Sequence, residues 1–206
     1  MQVDQVLNHV ACNSVTVLAL GRGVQPNGAL TNYGRYRVSE TLQVATLLAD
    51  SGKEVEIIWT GGASRVQVAA GTTMLRSEAE AMYNFAMNCD EYKSNGFTHK
   101  TEPDSISTVE NMANSSPLIT GGSLVIMTDD DHYRWRRVQI IAGLMFPYKR
   151  NIVFVRIQSD GFSLKRRVVQ FASTIVLVCT MIGVRRGNRW AIMRRQRMLE
   201  RLFRVR

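Results

Sequence analysis

Hydrophobic and polar positions switch between two periods along this chain. Short, nearly continuous apolar runs at residues 15–20, 55–60, 124–127 and 151–156 have the character of strands covered on both faces. Residues 98–101 form a weaker strand candidate. Helical spacing fills the intervals. Val38, Leu42, Ala45 and Leu48-Ala49 predict a helix over about 37–50, stopped by Ser51-Gly52. Ser77-Glu78-Ala79-Glu80 reads as a capping box opening a helix to about Asn88, and residues 107–110 read as a second box. Val138, Ile141 and Leu144-Met145 continue the pattern after the run at 124–127. A long helix is expected to begin at Ser163. Strands alternating with helices predict an α/β fold: a Rossmann-like open parallel sheet of about five strands with helices on both faces. A basic amphipathic helix is expected at the C-terminal end.

Two stretches bear on surroundings. Residues 168–184 are apolar enough to raise a membrane span, but the run is at the short edge of the spanning range and holds a Gln and several hydroxyls. A helix lying on the sheet is the expectation. In the tail, Ala191, Ile192, Met198, Leu199, Leu202 and Phe203 fall on one side of a helical wheel, opposite Arg194, Arg197, Arg201 and Arg204. The net charge is +9, yet residues 185–206 hold nine Arg and one Glu, so the preceding chain is nearly neutral. The expected organisation is one α/β domain over 1–184 and a basic tail over 185–206. The tail suits an anionic membrane surface or an acidic protein; nucleic acid is its least favoured partner. Cys12, Cys89 and Cys179 have no metal-ligand spacing, and their odd number suits a reducing compartment. Residues 1–13 lack signal-peptide character. A cytoplasmic location is therefore expected, with peripheral membrane attachment left open.

Candidate chemistry gathers after the strands. In open α/β sheets, ligands bind outside the carboxyl ends of strands. Gly21-Arg22-Gly23, Gly61-Gly62, residues 102–111 and the polar turn from Thr128 through Asp129 to His132 all stand at such ends. The third glycine of a dinucleotide fingerprint would fall on Pro26, so a nicotinamide or flavin site is not expected. The plain role of Ser77, Glu80 and Glu110 is helix capping. Glu78, Thr108 and Asn111 are not needed for it, and Asn is a poor choice within a helix's first turns. Asp129 to Asp131 could equally serve a helix dipole.

This ordered set resembles the YdcF/SanA/ElyC family of bacterial domains over about residues 15–184. Gly21, Gly23, Asn32 and Arg35 match its first strand end, and Gly61-Gly62 its second. Ser77-Glu78-Ala79 matches its Ser-Glu-Ala motif. Glu102, Ser105, Thr108, Glu110 and Asn111 match its acidic–Ser–Thr–Glu-Asn motif. Thr128 and His132 match its strand-Thr-Ser-x-x-His-x-x-Arg motif. Two positions depart: Asp129 replaces a Ser, and Trp135 replaces the Arg, with Arg134 and Arg136 on either side. The resemblance implies a Rossmann-like fold, a phosphate- or nucleotide-like ligand and a role connected with the cell envelope. It also brings in S-adenosylmethionine, associated with one anchor-free member.

The leading expectation is a site for an anionic small molecule. Backbone amides after Gly21 and Gly61 would hold the anion, Arg35 would neutralise it, and His132 would act as general acid or base. Glu78 and Glu110 would orient the ligand or hold a divalent cation with Asp129. Gly21, Gly61, Glu78, Asn111, Thr128 and His132 are expected to line one pocket. Two alternatives stand beside this: an inactive interaction protein working through its Arg-rich tail, supported by Trp135, and an S-adenosylmethionine-binding protein. The last needs an acidic residue at the second strand end to hold a ribose, where Thr60-Gly61 stands.

Overall fold

Five strands, β1 (Ser14–Leu20), β2 (Glu54–Thr60), β3 (Thr98–Glu102), β4 (Ser123–Asp129) and β5 (Asn151–Ile157), form one sheet in the order β3-β2-β1-β4-β5. Every neighbouring pair is parallel. This computed structural model describes residues 5–21, 23–63, 76–89, 96–129, 137–146, 151–157 and 164–204. For residues 164–170, 173 and 199–204 it describes the backbone alone. Six helices are described: α1 (Asn32–Asp50), α2 (Glu78–Met87), α3 (Thr108–Ser115), α4 (Arg137–Met145), α5 (Leu164–Met181) and α6 (Arg189–Arg204). The chain winds outward from β1 through β2 to β3, then returns to β4 on the other side of β1. The strand order therefore reverses between β1 and β4, the place where such sheets open a crevice.

Period-two alternation in the strands divides the core into two layers. Val15, Val17, Ala19, Ile57, Trp59, Val125 and Met127 face α1 and α2. Leu18, Leu20, Ile58, Leu124 and Ile126 face α3, α4, α5 and α6. Val38, Leu42, Ala45 and Leu48 are all buried. At about 1.5–3 kcal/mol per fully buried aliphatic side chain, such a stripe outweighs weak helix propensity.

Several boundaries differ from the sequence expectation. Helix α1 starts five residues earlier than periodicity indicated, because Thr31 caps it by accepting a hydrogen bond from Gly34 N at 3.1 Å. Asn32 and Arg35 therefore sit in its first turn, both exposed, and not in a loop. Strand β4 extends through Asp129, which is a buried strand end and not part of a solvated helix terminus. Strand β3 reads weakly because it is an edge strand: Thr98 and Thr101 are exposed, while Glu102 is buried. Its His99 stacks on Trp59 with ring centroids 6.1 Å apart and accepts Trp59 Nε1–H on Nδ1 at 3.2 Å. Burial lowers the His99 pKa, which favours that neutral, accepting form.

Helix α5 lies against the sheet side of the fold through Thr174, Leu177 and Met181, and among the described residues no helix is long and apolar enough to cross a membrane. Helix α6 corrects the helical wheel. It packs through Ile192 and Gln196, both buried, while Met198 is exposed and Arg197 turns toward α3. The side chains of Leu199, Arg201, Leu202, Phe203 and Arg204 lie outside those described.

Candidate functional site

The carboxyl edge of the sheet is built by register. Leu20 pairs with Thr60 and Ala19 with Met127, so the next positions, Gly21, Gly61 and Asp129, stand side by side. Strand alternation turns all three toward α1 and α2. At two of them the missing side chain makes room for a third residue. A Cβ on Gly21 would stand 2.0 Å from Glu78 Oε2, and one on Gly61 would stand 3.0 Å from both Glu78 Oε2 and Glu78 Cβ. Gly61 also has φ +143°, a conformation that L side chains rarely adopt. The glycines thus admit the Glu78 carboxylate to the ends of β1 and β2. Glu78 is delivered there by the start of α2, which is locked by the full capping box of Ser77 and Glu80. Hydrogen bonds from Glu78 N to Gly62 O (3.0 Å) and Ala79 N to Gly61 O (2.9 Å) fix the helix start against the strand end.

Asp129 keeps its side chain and pairs with Arg37. Both are buried, and the Arg37 guanidinium also donates to the carbonyls of Leu20 and Gly21. In the sequence, periodicity gives Arg37 no role beyond the first residue of the helix expected over 37–50. Arg37 occupies the position at this edge expected of Arg35, which is exposed on the helix surface. Its spacing signal was present: Arg37 lies one residue before Val38 on the buried stripe, where a charge needs a buried partner. Among the described residues, Arg37 Nε and Thr128 Oγ1 are buried with no hydrogen-bond partner. Thr128, the residue before the end of β4, falls on the opposite, α3-facing side.

The α3 side has a different character. Glu102 accepts hydrogen bonds from Thr60 Oγ1 (2.6 Å), Asp104 N (3.0 Å), Asn114 Nδ2 (3.2 Å) and Ser105 Oγ. It ties β2, the turn after β3 and α3 together. Glu110 is only half of the expected box. Ser107 Oγ accepts from Glu110 N at 3.3 Å, but the Glu110 carboxylate accepts from Ile106 N (2.9 Å) and from Arg197 Nε of α6 (2.9 Å). Asn111 is buried and Thr108 half-buried beside it.

The amide after Gly61, that of Gly62, donates to the Ser105 carbonyl, and the amides of Gly21 and Gly61 themselves donate to those of Thr60 and Glu102. The amide after Gly21, that of Arg22, lies outside the described residues. Glu78, Glu110 and Asp129 do not gather round a cation: Asp129 pairs with Arg37 and Glu110 with Arg197, and no cluster of three or more His, Cys, Asp or Glu suited to a metal ion occurs among the described residues. The structure does bring together Gly21, Gly23, Gly61 and Glu78, the last lying 4.0 Å from a Cβ built on Gly23. Arg22, His132 and Arg136 lie outside the described residues. An open groove of about 860 Å³ lies beside this edge, lined by Asn27, Arg76, Glu80, Tyr83, Asn84, His99 and Thr101, none of them singled out by the strand-end rule.

Compared with protein-family models, with curated proteins and with solved structures, the chain matches none.

Proposed function

We propose that this chain binds a nucleotide-like anionic small molecule at the carboxyl edge of the sheet, with Glu78 as the polar anchor and His132 as a general acid or base. The observation that carries the reading is the Glu78 carboxylate held over two glycine strand ends. A carboxylate fixed by a capped helix start is suited to accept hydrogen bonds from ligand hydroxyls, such as the pair on a ribose. The acidic group absent from Thr60-Gly61 in the sequence is thus supplied from α2. This favours ligands with a ribose, S-adenosylmethionine among them. The negative part of the ligand is assigned to the exposed start of α1, near Asn32 and Arg35, where a helix N-terminus favours anions. Membership of the YdcF/SanA/ElyC family and a cell-envelope setting remain proposals that rest on motif resemblance.

Thermal-shift titration of the full chain with nucleotides, S-adenosylmethionine and polyprenyl phosphates tests the reading. A ligand at about 100 times its dissociation constant stabilises the folded state by about 2.7 kcal/mol. The expected result is a clear rise in melting temperature with a ribose-bearing ligand, abolished by Glu78→Gln. No shift with any of these ligands, or the same shift in Glu78→Gln, rejects it.

A second reading, an interaction protein without chemistry, draws on the Arg197–Glu110 contact. There the tail saturates one of the two expected acids. Catalysis dependent on Glu78 but indifferent to Arg197→Ala would rule that reading out.

A further inference from the structure

Helix α5 shows two contrasting stripes. Thr174, Leu177 and Met181 are buried against the fold. Ile175, Val178 and Ile182, one helical face further round, are 47%, 41% and 72% exposed, and Phe171 continues their spacing one turn earlier. Ala172 and Cys179 are the neighbouring exposed positions. From Phe171 to Ile182 the exposed face of this helix therefore carries no charged side chain. A solvated helix face normally carries several, and a contiguous apolar patch of this kind marks an interaction site.

The stripe runs into a corner that is held in place. Gly183 and Gly187 take positive φ in the turn between α5 and α6. Arg195 of α6 donates to the carbonyls of Thr180 (2.6 Å) and Ile182 (2.7 Å), satisfying groups that α5 would otherwise leave open at its C-terminal end. Gly187 N donates to Leu144 O at 2.7 Å, and Asn188 Oδ1 caps α6 by accepting from Ala191 N at 3.0 Å. On this fixed corner Ile182 and Trp190, the latter 69% exposed, project into solvent. Arg185, Arg186, Arg189 and Arg194 are exposed around them, and Arg194 lies over the Trp190 ring at 5.3 Å. The one acidic residue between positions 164 and 204 is Glu200.

We propose that this corner, with the outer stripe of α5, docks on an anionic lipid surface. Ile175, Val178, Ile182 and Trp190 would enter the headgroup region, and Arg185, Arg186 and Arg189 would meet lipid phosphates. Charge selects this occupant. A second copy would bring an equally basic surface against the first, whereas anionic headgroups complement it. The apolar wedge distinguishes it from a purely electrostatic patch, because an interfacial element needs both. The docking face lies on the α3-to-α6 side of the sheet, away from the Glu78 edge, so it is independent of the ligand proposed there. It also relocates the membrane contact expected from the tail's helical wheel: the apolar part belongs to α5 and the corner.

Co-sedimentation of the full chain with vesicles tests this. Vesicles of phosphatidylcholine mixed with phosphatidylglycerol are expected to bind it at low salt, and pure phosphatidylcholine vesicles to bind it far more weakly. The Ile175→Glu/Ile182→Glu double variant should lose roughly tenfold or more of the partition coefficient, since it removes two inserted side chains and adds repulsion. Both positions are solvent-exposed, and an unchanged melting temperature would confirm that the variant folds. Trp190 emission should shift to the blue on binding, and that component should vanish in Trp190→Phe. Replacing Arg185, Arg186 and Arg189 by Gln should weaken binding and flatten its salt dependence. Undiminished binding by the double Glu variant overturns the proposal, as does no binding to the mixed vesicles at low salt. A concentration-dependent dimer that Ile182→Glu dissolves, or retention by polyglutamate without vesicle binding, also overturns it and reassigns the surface.

Discussion

The two sides of the sheet's carboxyl edge use the same residue types to opposite ends. On the α3 side, Glu102 is saturated by four hydrogen bonds and Glu110 is divided between a backbone amide and Arg197. Those carboxylates hold elements together. On the α1 and α2 side, glycines leave the space over β1 and β2 to Glu78, and the neighbouring Arg37–Asp129 pair keeps one buried donor, Arg37 Nε, without a partner among the described residues. On one side the acids tie neighbouring elements together through hydrogen bonds; on the other, two missing side chains admit a helix-borne acid to the strand ends.

The largest effect expected is at the buried ion pair. Asp129→Ala would strand the Arg37 charge and cost about 3–5 kcal/mol in denaturant unfolding, whereas Arg37→Met with Asp129→Leu should recover most of that loss. An Asp129→Ala variant as stable as the parent would show that Arg37 is not a buried bracket.

Gly61→Ala combines a positive φ with contact against Glu78 and should cost about 2–3 kcal/mol. Gly21→Ala sharpens the comparison further, because its clash is with the Glu78 carboxylate itself. In a double-mutant cycle, Gly21→Ala should be better tolerated on a Glu78→Ala background, with a coupling above about 0.5 kcal/mol. Additive effects would break the link between these two residues.

The two acids should then separate directly. Glu102→Gln is expected to cost about 1–3 kcal/mol, since one oxygen becomes a donor facing donors in a buried cluster. Glu78→Gln should cost less than about 1 kcal/mol while abolishing ligand-induced stabilisation. Equal stability losses would erase the distinction drawn between the two sides.

The smallest effect is expected for Arg197→Ala. This side chain is 58% exposed, so solvent screens the pair and the loss should stay within about 1 kcal/mol. A much larger loss in thermal unfolding would make α6 a principal support of α3.

The alternation of apolar strands with helical stripes was enough to determine the α/β architecture, the number of strands and the capped start of α2, because these depend on local period and on side chains within one turn of each other. That Gly21 and Gly61 share one edge was also legible, since strand ends gather there by rule. Of the residues expected in the same pocket, Glu78 joins them from the start of α2, Asn111 and Thr128 fall on the α3 side, and His132 lies outside the described residues. The early start of α1 was not legible, because a capping Thr31 followed by Asn, Tyr and Gly looks like loop chemistry. Which acids are saturated, which arginine is buried and which apolar stripe of α5 meets water were decided only in three dimensions. Arg35 and Arg37 differ by two residues and by nothing in composition, yet a helix turns 100° per residue, so one faces solvent and the other faces Asp129, 92 residues away in sequence. The same rotation decides that Leu177 is core while Val178 is surface. Amphipathic spacing states that a helix has two faces; only the packing of its neighbours decides which face is covered.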